Sequence, residues 1–195
     1  PLNDPPTLGT IATPAAISED SVAQTVNFSG VTAGPGETQH LRVTASSNNT
    51  NLIPNPVVTY TTAEATGSLA FTPVANQYGT AVITVTVEDA GLDGQLETNV
   101  NNASTIRTFT VTVTPVNDPP TLGLASLPDA QAGQPYSVSF SPSDPDAGDD
   151  LAVSVVSGPG WLDAPVDNGD GSWTLGGMPQ VADAGSVMLT LRVSD

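Results

Sequence analysis

Asn117-Asp118-Pro119-Pro120-Thr121-Leu122-Gly123 repeats Asn3-Asp4-Pro5-Pro6-Thr7-Leu8-Gly9 residue for residue. A heptapeptide duplicated at this separation marks a tandem array in which each copy opens one folding unit. Paired prolines forbid helix and favour a stiff, extended backbone. The Asn-Asp ahead of them places side-chain oxygens along that backbone. A rigid joint lined with oxygen ligands suits a hard cation such as calcium. The repeat divides the 195 residues into a linker at 1–4, a domain at 5–116, a second linker at 117–120 and a further domain at 121–195.

Outward from the two copies, hydrophobicity alternates with period two. Ala81, Ile83, Val85 and Val87 take one face, and Val82, Thr84 and Thr86 the other. Arg107, Phe109, Val111 and Val113 alternate in the same way with Ile106, Thr108, Thr110 and Thr112. Val and Thr in this pattern argue for half-buried strands. The 18 Gly and 18 Pro interrupt them at short intervals, as in an all-β sandwich. The first domain is expected to hold seven strands: Ile11–Ile17, Ser21–Phe28, Gln39–Ser46, Val57–Thr61, Ser68–Thr72, Thr80–Glu88 and Thr105–Thr114. The second is expected to hold Tyr136–Phe140, Leu151–Ser157, Trp161–Asp163, Ser172–Leu175 and Val187–Ser194, with a turn cluster at Asp167-Asn168-Gly169-Asp170-Gly171. It reads as incomplete at its C-terminal end, before a last strand, with an unpaired sheet edge.

Composition narrows the function. The formal charge is −17, from 20 acidic residues against three arginines and no lysine. Nucleic acid and anionic membrane both need a basic patch, so neither is an expected partner. Without cysteine, thiolate zinc sites and redox chemistry are excluded. No apolar run approaches the roughly 20 residues of a membrane span, and no signal peptide precedes the first repeat. The chain therefore reads as part of a longer exported polypeptide.

These residues resemble a family. Pro115-Val116-Asn117-Asp118-Pro119-Pro120 resembles the inter-repeat linker of cadherins and of bacterial cadherin-like tandem repeats. Ile17-Ser18-Glu19-Asp20, Asn76-Gln77-Tyr78-Gly79 and Val87-Glu88-Asp89-Ala90-Gly91 are similar to the long repeats of giant bacterial surface proteins. Ala132-Gly133-Gln134-Pro135-Tyr136, Asp144-Pro145-Asp146-Ala147-Gly148-Asp149 and Trp161-Leu162 resemble the dystroglycan-type cadherin-like module. The resemblance implies two tandem Ig-like sandwiches with calcium at the joint. By carry-over, the ligands are Asn117 and Asp118 of the linker, Glu19 (with Asp20 beside it) after the first strand, Asp144 and Asp146 as an Asp-x-Asp pair, and Asp195 at the end of the sixth strand. Asn3, Asp4 and Asp89 would serve a joint with a preceding repeat. Cadherins carry an Asp-Arg-Glu segment before the sixth strand of the upstream domain. Here that region reads Pro73-Val74-Ala75-Asn76-Gln77-Tyr78-Gly79, so one or two ions are expected rather than three.

The residues themselves suit that chemistry. Calcium takes about six to eight oxygen ligands in irregular geometry. In a sandwich of this topology, the loops after the second and sixth strands share one end, which brings Asp144, Asp146 and Asp195 together. Asp149 and Asp150 add to the same loop, giving four Asp in seven residues where a solvated turn is the plain alternative. The loop does not match a helix-flanked calcium motif: its glycine is one place early, and Val155 stands where that motif has Glu. His40, the only histidine, reads as a surface strand residue. No nucleophile elbow appears, and a small sandwich rarely offers a cleft for paired carboxylates, so no enzyme is expected. Trp161 is read as a core anchor. Trp173 is read either as a cross-strand partner in a hairpin or as a platform for a sugar ring.

The expected function is that of a calcium-stiffened extracellular spacer and adhesion module from a large repetitive surface or secreted protein. Its partners would be neighbouring repeats, with homophilic or polysaccharide contacts left open. The alternative is a carbohydrate-binding module accessory to a secreted polysaccharide-degrading enzyme or adhesin.

Overall fold

The computed structural model describes residues 2–98 and 101–195. The chain divides into two compact units, Pro1–Val116 and Asn117–Asp195. Both are β-sandwiches.

The first unit holds β1 (Ile17–Ser18), β2 (Gln24–Ser29), β3 (Leu41–Ser47), β4 (Val57–Thr59), β5 (Thr66–Phe71), β6 (Gly79–Asp89) and β7 (Ser104–Thr114). One sheet runs β1-β7-β6-β3 and the other β2-β5-β4. Alternation explains the two longest strands. Ala81, Ile83, Val85 and Val87 are buried, while the residues between them stay half-exposed. β7 pairs antiparallel with β6, Ile83 opposite Phe109 and Ala81 opposite Val111, so its own apolar residues enter the same interior. The second sheet closes this interior with Val26, Phe28, Leu69 and Phe71. Each such side chain removed from water contributes roughly 1.5–3 kcal/mol.

Two sequence expectations shift in this unit. The strand expected over Ile11–Ile17 shortens to Ile17–Ser18, which pairs in parallel with Val113 and Thr114 of β7. Pro14 has no N–H for a ladder, and Ile11 is buried without strand pairing. His40 lies one residue before β3 and is exposed. Its carbonyl accepts the Ala90 N–H at 3.0 Å.

The second unit holds β8 (Tyr136–Phe140), β9 (Ala152–Ser157), β10 (Val166–Asp167), β11 (Trp173–Gly177) and β12 (Thr190–Ser194), with a 3-10 turn at Val181–Asp183. Its sheets are β10-β11-β8 and β12-β9. Phe140, Val153 and Leu175 form the buried centre, flanked by half-buried Leu122, Leu124, Trp173, Leu191 and others. The expected strand Trp161–Asp163 is a turn, closed by the Leu162 N–H to the Pro159 carbonyl and by one bridge from Leu162 to Gly177. The unforeseen β10 pairs Asp167 with Trp173. Its hairpin turns through Gly169 and Gly171, both at positive φ, and the Gly169 N–H donates to Asp167 Oδ1.

The repeated heptapeptide has one structural role in both units. Thr7 and Thr32 exchange backbone hydrogen bonds at 2.9 and 3.4 Å; Thr121 and Ser143 do so at 2.8 and 2.9 Å. In each case the two hydroxyls also meet, at 2.7 and 2.9 Å. The following glycine lies against the end of the second strand. A Cβ on Gly9 would stand 2.8 Å from the Ser29 carbonyl oxygen, and one on Gly123 would stand 2.1 Å from that of Ser141. Gly123 also has φ +66°. Thr-Leu-Gly is therefore a docking element, and only the Asn-Asp-Pro-Pro ahead of it serves as a strap.

Candidate metal centre

Three loops meet at one end of the second unit. The residues before Thr121 enter there, the loop from Asp144 to Asp150 leaves β8 there, and β12 runs to it. An Asx turn shapes the loop: Asp144 Oδ1 accepts the Asp146 N–H at 2.7 Å. Asp146 Oδ2 in turn accepts the Asp118 N–H at 2.6 Å, which holds the strap against the loop. Asn117 Nδ2 donates to Asp195 Oδ2 at 2.7 Å, tying the strap to the end of β12. One carboxylate oxygen from each of Asp144, Asp149 and Asp195 lies within 4.8 Å of the others.

The electrostatics fit a site built for a cation. Asp144 Oδ2 is buried and has no hydrogen-bond donor. Partial removal from water, and then the charges of Asp144, Asp146, Asp195 and Asp150, hold the Asp149 carboxyl above its ordinary range. Nearby like charges disfavour the ionised form of a carboxyl in this way. Oxygen donors of this kind match calcium better than a softer metal. Asp150 is exposed and contributes charge outside the group of three.

The acids of the first unit are arranged differently. Glu19 is buried, and its Oε1 accepts the Val116 N–H at 2.7 Å. At the other end, Asp89 is wholly buried. Its Oδ1 accepts from Asn3 Nδ2 at 3.1 Å, the Gly91 N–H at 2.9 Å and the Ala103 N–H at 3.0 Å, leaving Oδ2 without a donor. Asn3 also donates to the Asn101 carbonyl and accepts from Gln39 Nε2. The Asp4 N–H meets both oxygens of Glu37 at 3.2 Å. Sequence reasoning missed Glu37 and Gln39. They lie between β2 and β3, as the Asp144 loop lies between β8 and β9, so their place in the repeat was the available signal. Among the described residues, Asp4, Glu37 and Asp89 do not gather as the second unit's acids do.

Trp173 takes the first of its two expected places, and Trp161 is not the core anchor expected. Trp173 stands opposite Phe140 in the β11–β8 pairing and packs on the core. Trp161 instead meets the Tyr136 ring edge-on at 5.5 Å and lines a surface cleft.

No family model and no curated protein matches the chain. Solved structures do. A protocadherin gammaB7 cis-dimer is 19% identical at a TM-score of 0.51, over 97% of this chain and 46% of that one. The human desmocollin-1 ectodomain is 15% identical at 0.40, over 97% of this chain and 37% of that one. An endo-fucoidan hydrolase of glycoside hydrolase family 107 is 22% identical at 0.41 and covers 97% of this chain. The chain spans 26% of that hydrolase's length. At 19% identity the protocadherin likeness concerns fold alone, that of cadherin-like, Ig-like β-sandwiches. Among the described residues, no helix is long and apolar enough to cross a membrane.

Proposed function

We propose that this chain is a segment of a larger secreted or cell-surface protein and works as a calcium-stiffened spacer and adhesion module. The observation that carries the reading is the gathering of Asp144, Asp149 and Asp195 oxygens within 4.8 Å. Like charges so placed repel, and a divalent cation turns that repulsion into coordination. Asp144, Asp149 and Asp195 would hold it, with Asp146, Asn117 and Asp118 as neighbours already tied to the group. Loading fixes the Asn117-Asp118 strap against the second unit. That shortens the free connector between repeats and stiffens the array. Neighbouring repeats are the first partners, and homophilic or polysaccharide contacts belong to the adhesive part of the role. The strong negative charge directs the molecule away from nucleic acid and membranes.

Calorimetric titration with calcium, with magnesium as control, tests this. The expected result is saturable calcium heat, a higher melting temperature for the second unit, and at least about a tenfold loss of affinity in Asp144→Asn. Identical melting curves and scattering profiles in calcium and in chelator would overturn it.

A further inference from the structure

We infer that the outer face of the β2-β5-β4 sheet holds a binding site for a neutral saccharide. The inference gives a place to the polysaccharide contact named above and rests on that adhesive part of the reading, not on calcium. Alternation builds the face. Val26 and Phe28 of β2 and Leu69 and Phe71 of β5 are buried, so Asn27, Ser29, Thr66 and Ser68 point the other way. Register aligns them. Asn27 stands opposite Ser68, and Ser68 opposite Thr59 of β4, while Ser29 stands opposite Thr66. Two interstrand spacings of about 4.8 Å carry the row Asn27-Ser68-Thr59 across all three strands.

A cleft of about 580 Å³ is lined by these five residues and by Thr61, Tyr60 and Glu64. That size suits a small polar ligand. Phe28 and Gly67 also reach it. A Cβ on Gly67 would meet the Phe28 ring and stand 2.8 Å from the Thr59 carbonyl oxygen, so a side chain there would displace the wall of the cleft.

The polar groups of this cleft are not spent on the fold. Elsewhere in the first unit such side chains hold backbone: Thr62 Oγ1 accepts the Leu41 N–H at 2.9 Å, Asn55 Oδ1 the Ser47 N–H at 2.9 Å and Asn48 Oδ1 the Val82 N–H at 2.7 Å. Among the described residues, the side chains of Asn27, Ser29, Thr59, Thr61, Thr66 and Ser68 make no hydrogen bond to the rest of the protein. The Tyr60 hydroxyl is buried and also lacks a partner. A buried polar atom left unsatisfied is costly, and a ligand hydroxyl removes that cost.

The chemistry of the lining selects the ligand. Hydroxyl and carboxamide side chains both donate and accept hydrogen bonds, as sugar hydroxyls do. Among the described residues of the cleft, Glu64 is the one charge, and the chain carries −17, so sulfated or carboxylated polymers are repelled. Tyr60 supplies an apolar patch. Its ring tilts on that of Phe28 at 6.2 Å, and an aromatic body with a polar tip suits the mixed faces of a pyranose.

Affinity electrophoresis of the 195-residue chain in gels containing laminarin, xylan, galactomannan or dextran tests the inference, with sulfated carrageenan as the charged control. At least one neutral polymer should retard the chain, and carrageenan should not. Asn27→Ala combined with Thr59→Ala, at two exposed positions, should weaken that binding by about tenfold or more and leave the first unit's melting temperature unchanged. Should that double variant melt early, Ser29→Ala with Thr66→Ala replaces it. Hydrogen exchange in the presence of the retarding polymer should slow along β2, β4 and β5 and stay as it was along β3 and β6. Retardation by none of the neutral polymers, equal binding by the variants, stronger binding of carrageenan, or slowed exchange outside the β2-β5-β4 sheet overturns the inference. The calcium titration at Asp144, Asp149 and Asp195 is read on the second unit, so either result stands without the other.

Discussion

Gly123→Ala is the sharpest test of the docking element. The new Cβ would stand 2.1 Å from the Ser141 carbonyl oxygen and 3.0 Å from its carbon, so backbone must move. The residue would also keep φ +66°, where an L-residue costs roughly 1–2 kcal/mol. Forcing an added carbon into a filled site costs about 1–3 kcal/mol more. The sum is about 2–5 kcal/mol on the second unit alone. At about 4–8 °C per kcal/mol for a domain of this size, the second transition should fall by about 8 °C or more, or vanish. Gly9→Ala is the internal control. Its Cβ would stand 2.8 Å from the Ser29 carbonyl oxygen, and no left-handed φ adds to the cost, so about 1–3 kcal/mol is expected on the first unit. Thermal unfolding followed by hydrogen exchange resolved by unit reads both. A Gly123→Ala loss under 1 kcal/mol, or a larger loss from Gly9→Ala, would refute the reasoning.

Three further outcomes follow from the packing and the acids. Phe109→Ala should lower the first unit's stability by about 3–5 kcal/mol, because the ring is 3% exposed between the sheets; denaturant unfolding measures it, and a loss near zero would mean that the sheets are not packed face to face there. The raised Asp149 carboxyl binds protons more tightly folded than unfolded, so without divalent cations this group's contribution to stability falls as pH rises from its ordinary value through the raised one; melting curves from pH 3.5 to 7 in chelator, compared with Asp149→Asn, should show this extra slope in the parent only. Calcium affinity should weaken on acidification beginning above the ordinary aspartate range, since the proton competes for Asp149; affinity independent of pH between 4 and 7 would remove Asp149 from the ligand set.

What the sequence made legible followed physical rules that act locally. Ala81 to Val87 and Phe109 to Val113 announced their strands because one face had to be buried and period two left no other reading. The first strand was overdrawn because Ile11 supplies burial without a ladder, and pattern alone does not separate the two. Trp161–Asp163 looked like a strand for a similar reason, since its apolar residues serve a turn. Asp144 and Asp195 could be placed at one end from topology, because loops after the second and sixth strands share it, but Asp149 and not Asp146 completes the group of three. Glu37 and Gln39 could not, since neither belongs to an acidic run. The tryptophans show the limit of residue type as a guide: Trp173 lies in a register set by Phe140, and Trp161 follows a turn that only the fold displays.

The short pairing of β1 with β7 has a mechanical consequence. Ile17 and Ser18 run parallel to Val113 and Thr114, beside the point where the chain leaves the first unit. Tension pulling the two chain ends of that unit apart slides these strands along each other. The hydrogen bonds between them then share the load at once, instead of opening one after another as in a peeled hairpin. A protein strung between two anchors would thus meet force with its smallest strand, and replacing Ile17 with proline should lower the rupture force of this unit in single-molecule stretching more than it lowers its stability at rest.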